Sequence, residues 1–408
     1  MSIATNYDAE WPVTGKTVKY SIDITNGTAA PDGFSRLVLG VNGKMPGPTL
    51  FANWGDYLEI TVTNKLKDNG TSIHWHGIRQ WKTSHMDGTN GVTECPLAPG
   101  QSRTYRFLCT QFGTTWFHSH YSAQYGDGVI GTIVINGPAT SNYDVDLGTM
   151  TVQDWYYQTA YQLAFLTSLG GPPKTADNGL INGTMKSSHG GAYHNNTITK
   201  GKKYRLRLIN TSVDNHFKVS LDNHTLTVIT ADFVPIKPYT TNWLFIGIGQ
   251  RYDVIINANQ AVGNYWFRAE VQTGCGTNAN NGNIKSIFHY SGASSSLPTT
   301  NGTAYTQSCL DETKLVPYVS LNVPSTSLIP DSSVLDVSFA TVATSGNQTA
   351  VQWNLNETAI QVDWEDPTLQ YVLDGNTSYP KDLNLITLPK QNAVSVSLAI
   401  REIKEFPT

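Results

Sequence analysis

Residues 56–63 alternate without a break. Leu58, Ile60 and Val62 fall on one side, and Glu59, Thr61 and Thr63 on the other. A period of two makes a strand with one buried face, and no amphipathic helix can be built from it. The pattern returns over residues 204–210, where Arg205 and Arg207 are expected to point outward to solvent. Further strands are predicted over residues 104–108, 131–135, 226–229, 252–256, 265–269 and 394–400. Turn signals such as Asn42-Gly43, Pro46-Gly47-Pro48, Pro99-Gly100 and Asn136-Gly137-Pro138 separate them at short intervals. Helical periodicity is scarce. Many short strands with this punctuation imply an all-β fold of sandwiches or barrels.

At 408 residues the chain exceeds one ordinary core. Three blocks are read: residues 1–138, closing on a turn after a strand; residues 139–309, closing after the Ser-rich run 291–296; and residues 310–408. The third holds fewer strands than a full sandwich requires and stops on Glu405-Phe406-Pro407-Thr408, so it is expected to be incomplete. Charged residues make up only 14% of the chain, against roughly 25% in an average domain. The formal net charge of −4 offers no cationic surface for phosphates, so no nucleic-acid partner is expected. No run approaches the roughly 20 apolar residues of a membrane span. No signal peptide is visible at the N-terminus. Ten N-x-S/T sequons, at Asn26, Asn69, Asn182, Asn195, Asn210, Asn223, Asn301, Asn347, Asn356 and Asn376, nevertheless point to a secreted glycoprotein.

The residues that speak most directly of chemistry are two His-x-His motifs, His74-Trp75-His76 and His118-Ser119-His120, each on strand-like sequence. On a strand, side chains at i and i+2 share a face roughly 6.5 Å apart. That separation is awkward for chelating one ion. It suits two adjacent ions, each taking an imidazole from each motif. Four imidazoles without paired thiolates or carboxylates favour copper or zinc over calcium or magnesium. One such motif alone reads better as a pair of hydrogen-bonded histidines on a partly buried strand; two in one block shift the balance to a metal. His85, His189, His194, His216, His224 and His289 form no close pairs and read as surface or packing residues.

Residues 72–77 (Ser-Ile-His-Trp-His-Gly), 93–96 (Thr-Glu-Cys-Pro) and 113–120 (Gly-Thr-Thr-Trp-Phe-His-Ser-His) resemble the first-domain copper motifs of multicopper oxidases, most closely laccases of ascomycete fungi. Similarity continues through residues 128–133, 208–217, 249–254 and 375–380. The resemblance implies consecutive cupredoxin-like Greek-key β-sandwich domains. It implies that His74 binds the type 2 copper, His76 and His118 one type 3 copper, and His120 the other. By the same resemblance Asp87 helps to supply protons, and Asp214 binds and deprotonates a phenol. Asp87 also reads as an Asp-Gly turn residue, and Asp214 as a cap or turn residue. The implied reaction is one-electron oxidation of a small phenolic or related reductant, coupled to four-electron reduction of dioxygen to water. A complete enzyme would hold four copper ions and act as a monomer.

Two family motifs, H-P-x-H-L-H-G and H-C-H, do not occur in this sequence. No cysteine has a histidine beside it, so the type 1 copper site, a thiolate with two imidazoles, is expected not to form and the 408 residues to be inactive. The family match implies a Cys275–Cys309 disulfide. Cys95 resembles a cysteine whose partner lies outside this sequence, and Cys109 reads as a buried thiol; a Cys95–Cys109 bond is the alternative. Two other readings compete: a non-catalytic secreted copper-binding or interaction protein, and an oxidase acting on ascorbate or metal ions.

Overall fold

A computed structural model describes residues 1–321, 334–343, 349–387 and 397–400. Asn347, residues 394–396 of the last predicted strand, and the final residues 401–408 lie outside the described residues.

The first sandwich contains eight strands: β1 (Thr17–Ala29), β2 (Arg36–Val41), β3 (Thr49–Asn53), β4 (Tyr57–Asn64), β5 (Ile73–Trp75), β6 (Ser102–Leu108), β7 (Gly113–Ser119) and β8 (Ile130–Asn136). One sheet has the order β2-β1-β4-β6 and the other β3-β8-β7-β5. β1 and β4 run parallel, as do β3 and β8, while β4–β6, β5–β7 and β7–β8 are antiparallel. The alternation read in residues 56–63 is realised in β4, where Leu58, Ile60, Val62 and Asn64 are buried and the residues between are half-exposed. Leu58, Ile60 and Val62 pack with Ile22, Ile24, Phe107, Phe117 and Ile133. Each such side chain stabilises the fold by about 1.5–3 kcal/mol relative to exposure. β7 differs, being buried along its whole length.

The second sandwich joins a six-stranded sheet to a five-stranded one. In the first, Lys203–Asn210 lies between Val145–Trp155, to which it is parallel, and Arg251–Asn257, to which it is antiparallel. Here one expectation fails. Arg205 and Arg207 are only 3% and 1% exposed. The sheet face they occupy is covered by β7, so their charges need buried partners. Arg205 is paired with Asp253, while Arg207 reaches Asp146 at 2.6 Å and Thr114 Oγ1 of β7 at 2.8 Å. Thr114 in turn donates to Asp253 Oδ1 at 2.6 Å. Alternation reports that a face is polar, and it does not report that the face is wet.

By spatial contact the chain divides into two compact units. One comprises Met1–Asp87, Leu97–Ala160 and Thr175–Val319, and so contains both sandwiches. The other comprises Gly88–Pro96, Tyr161–Lys174 and Ser320–Thr408. Gly88–Pro96, read from sequence as part of the first block, joins the later residues because Thr368 and Leu369 donate backbone hydrogen bonds to Gly91 and Val92. Its described strands form one three-stranded sheet, with Val334–Ala343 between Thr349–Leu355 and Ser397–Ile400.

Cys275 and Cys309 form a disulfide. Cys95 and Cys109 are free thiols, so the alternative bond between them is absent. Asn210 is fully buried and its amide donates to the carbonyls of Asn215 and Ile246, which leaves no room for a glycan and corrects its reading as an acceptor. Asn182 is half-buried, and its amide is held by Thr149 O and His194. Asn26, Asn69, Asn195, Asn223, Asn301, Asn356 and Asn376 are exposed.

Candidate metal centre

The four motif histidines come from one edge of one sheet. β5 and β7 pair antiparallel with His74 opposite His118. The chain beyond each strand stays in register: the His76 backbone N–H donates to Trp116 O at 3.1 Å, and that of His120 to Ser72 O at 3.3 Å. Residues two apart share a face, so all four imidazoles emerge on the same side. Ring centroids of His74 lie 5.8, 5.4 and 5.7 Å from those of His76, His118 and His120. Those of His76 and His118 are 5.5 Å apart, and those of His118 and His120 6.2 Å.

Hydrogen bonds set which nitrogen each ring offers. His74 Nδ1 lies 3.0 Å from the Asp87 carbonyl oxygen and 3.3 Å from its carboxylate. His118 Nδ1 lies 3.0 Å from Ser119 O. Both Nδ1 atoms face only acceptors and must carry the proton, leaving each Nε2 as a lone pair. His76 is turned the other way, with Nδ1 3.3 Å from His118 Nε2. Two ligands bound tetrahedrally at about 2.0–2.1 Å stand about 3.3 Å apart. The His76–His118 pair therefore has the spacing of two ligands on one ion, one from each motif. His74, His76 and His118 offer ligand atoms that all lie within 4.8 Å of one another.

Burial keeps the His76 and His118 rings neutral. Burial pushes His76 down to about 3, helped by the nearby Arg251 charge and by His74 and His120. Burial likewise drives His118 well below the ordinary imidazole range, against the opposing pull of its bond to Ser119 O. A neutral imidazole presents its lone pair to a metal without proton competition. Trp116 packs on both rings, with centroids 5.0 Å from His76 and 4.2 Å from His118. Thr115 Oγ1 donates to the His76 carbonyl. The end of β7 is tied down by Gln124, whose Oε1 accepts from Ser119 and Thr71 at 2.8 and 2.9 Å. The donor set, its protonation and its spacing fit copper or zinc.

Asp87 is brought to the cluster and Asp214 is not. Asp214 sits in the second sandwich, in the loop after Lys203–Asn210. Burial raises its carboxyl above the usual carboxylate range, against the lowering effects of Asn215, His216 and the Thr277 backbone. Sequence reasoning missed the residue that shapes this loop. Asp154, fully buried, accepts the backbone N–H groups of Val213, Asp214 and Asn215 at 3.0, 2.7 and 2.9 Å. It lies some 60 residues upstream, and no local pattern marks it. Among the remaining histidines, His224 is bonded to Tyr290, His194 to Ser286 and His289 to Asn264, all in packing roles.

Comparison with known proteins agrees with this geometry. Residues 23–140 and 146–293 match two sequence profiles described as multicopper oxidase. A laccase of Botryotinia fuckeliana, Laccase-3, is 61% identical over 349 residues, which are 84% of this chain and 76% of that protein. A laccase of Neurospora crassa is 48% identical over 402 residues, covering 96% of this chain and 63% of that protein. The chain thus spans 76% and 63% of the lengths of these two relatives. The crystal structure of a laccase from Botrytis aclada superposes with a TM-score of 0.88 at 43% identity, covering 95% of this chain and 72% of that one. The all-β architecture is accordingly cupredoxin-like, and the chain belongs to the multicopper oxidase family as a member of the ascomycete laccase type.

Proposed function

We propose that these 408 residues serve an enzyme of laccase activity, which oxidises phenolic or related small reductants by one electron each and reduces dioxygen to water, with the electron-entry site supplied by residues other than these. The observation that carries this reading is the convergence of four imidazoles, two from each motif, with His76 and His118 spaced as co-ligands. In this reading His74 holds the type 2 copper, His76 and His118 share one type 3 copper, and His120 serves the other. Bound copper would supply the one-electron changes that link the two half-reactions.

The chain's own residues have three tasks. The histidines hold lone pairs ready at fixed spacing. Asp87 fixes the His74 tautomer and offers a carboxyl 3.3 Å from that ring for delivering protons to the oxygen-reducing side. Asp214 accepts the phenolic proton, and four phenols then give four phenoxyl radicals, four protons and four electrons for each dioxygen converted to two waters. Burial of Asp214 favours this, because a carboxylate with a raised affinity for protons is the better base. The reading divides the chain into cupredoxin-like domains at 1–138, 139–309 and 310–408, and places a monomeric protein outside the cell with glycans on exposed asparagines.

The 408 residues hold four cluster ligands and no cysteine next to a histidine, so they supply no thiolate site for electron entry. The expected outcome is a colourless or faintly coloured copper protein that does not turn over 2,6-dimethoxyphenol. Copper titration, visible absorption and oxygen uptake on the 408-residue polypeptide check this. Intense blue colour or phenol oxidation overturns the claim of inactivity; failure to bind any copper overturns the assignment of the histidines.

A further inference from the structure

The segment at 249–251 of the second sandwich reaches the His76 ring. Gly249 adopts φ +77°, with its N–H donating to Asn210 O at 2.9 Å, so it is fixed to its own sheet. Its Cα lies against the edge of the His76 ring. A Cβ there would stand 3.0 Å from Cε1 and 3.2 Å from Nε2 of His76. The contact is made to the edge carrying Nε2, and His76 presents Nδ1 to His118 on its other side.

A second contact runs the opposite way. Gly77, directly after His76, has φ +73°, and a Cβ on it would stand 2.5 Å from Nη2 of Arg251. The Arg251 guanidinium cannot easily retreat. Its Nε donates to Thr114 O at 3.2 Å, and Nη1 donates to Gly249 O at 3.1 Å and pairs with Asp232 at 2.8 Å. The His76-Gly77 dipeptide therefore fits between Trp116 and Thr115 of β7 and the Gly249–Arg251 turn of the second sandwich. Each glycine removes the one atom that would prevent the approach.

We propose that Gly249 and Arg251 are positioning residues of the metal centre: Gly249 closes the Nε2 side of His76 and Arg251 backs the adjoining Gly77, so that this ring offers Nδ1 and is held at co-ligand distance from His118. The inference rests on the reading of His76 as a copper ligand. Its consequence is that the first sandwich does not set the geometry of its own histidines unaided. A change in the second sandwich that touches no ligand alters copper binding, and does so through His76.

The test is a double-mutant cycle in the 408-residue protein, read by copper(I) competition against a chromophoric chelator and by thermal melting of the copper-free forms. Supporting partners of metal ligands are commonly worth about 10–100-fold in affinity. Gly249→Ala is expected to weaken copper binding about tenfold or more in the native background, and less than about twofold when His76 is already alanine. Any loss of melting temperature from backbone strain at the positive φ should instead be the same in both backgrounds. Equal loss of copper affinity in both backgrounds, or none in either, overturns the proposal. Should Gly249→Ala not fold, Arg251→Met, which leaves the backbone free of strain, carries the same cycle with the same expected coupling. A native protein that binds no copper overturns the cluster assignment and this inference with it, and that result is separable because it precedes any substitution.

Discussion

His74 shows how much of the centre is decided by single atoms. Its Nδ1 faces two oxygens of one residue, the Asp87 backbone carbonyl at 3.0 Å and the carboxylate at 3.3 Å. Removing the carboxylate leaves the carbonyl to hold the tautomer. Asp87→Ala is therefore expected to lower copper affinity by about tenfold or less, the mild end of what such supporting partners are worth. His74→Ala, which deletes the proposed ligand, should cost much more. A chelator competition series on the two variants checks the order, and equal losses would contradict it. The convergence of these rings was legible because an i, i+2 pair on a strand has a fixed geometry whatever surrounds it. Asp154 and Gly249 were not, since a lone buried Asp and a turn glycine acquire their roles only from partners distant in sequence.

At the level of elements, β7 carries the argument. Its sequence lacks alternation because both of its faces are buried, one in the first core and the other against the second sandwich. Thr114 on that second face joins Asp253, Arg205 and Arg207 in a closed charge network. Burial alone would raise the Asp253 carboxyl, but the Arg205 and Arg207 guanidiniums and the hydrogen bonds from Arg205 and Thr114 outweigh it and hold it below the usual carboxylate range. A carboxyl held low in the folded state contributes stability above its unfolded value near 3.9, and that contribution is lost as pH falls through the folded value. Asp253→Asn leaves a buried arginine unpaired, and the expected cost at pH 7 is about 3–5 kcal/mol. Urea denaturation at pH 7 and at pH 3 should show the gap between native and variant narrowing on acidification. A gap independent of pH would contradict the network. The expectation that Arg205 and Arg207 face solvent failed at this same place, because a polar face on one sandwich was taken for a surface when a second sandwich covers it.

For the whole molecule, the all-β class followed from strand periodicity and turn spacing, which are local. The membership of Gly88–Pro96 in the second compact unit did not, because backbone hydrogen bonds to residues almost 280 positions away have no signature in a short segment. The Cys275–Cys309 bond closes a separation of 34 residues within the first unit. Replacing both cysteines with serine is expected to cost about 2–4 kcal/mol, measurable as a lower midpoint in denaturant; an unchanged midpoint would show that the bridge constrains little. The account as a whole depends on where copper sits. Crystals of the copper-loaded protein, with data collected on both sides of the copper absorption edge, place the metal directly. The account predicts anomalous peaks among His74, His76, His118 and His120, one of them shared by His76 Nδ1 and His118 Nε2; copper found only at other residues, such as Cys95 or the exposed histidines, would contradict it.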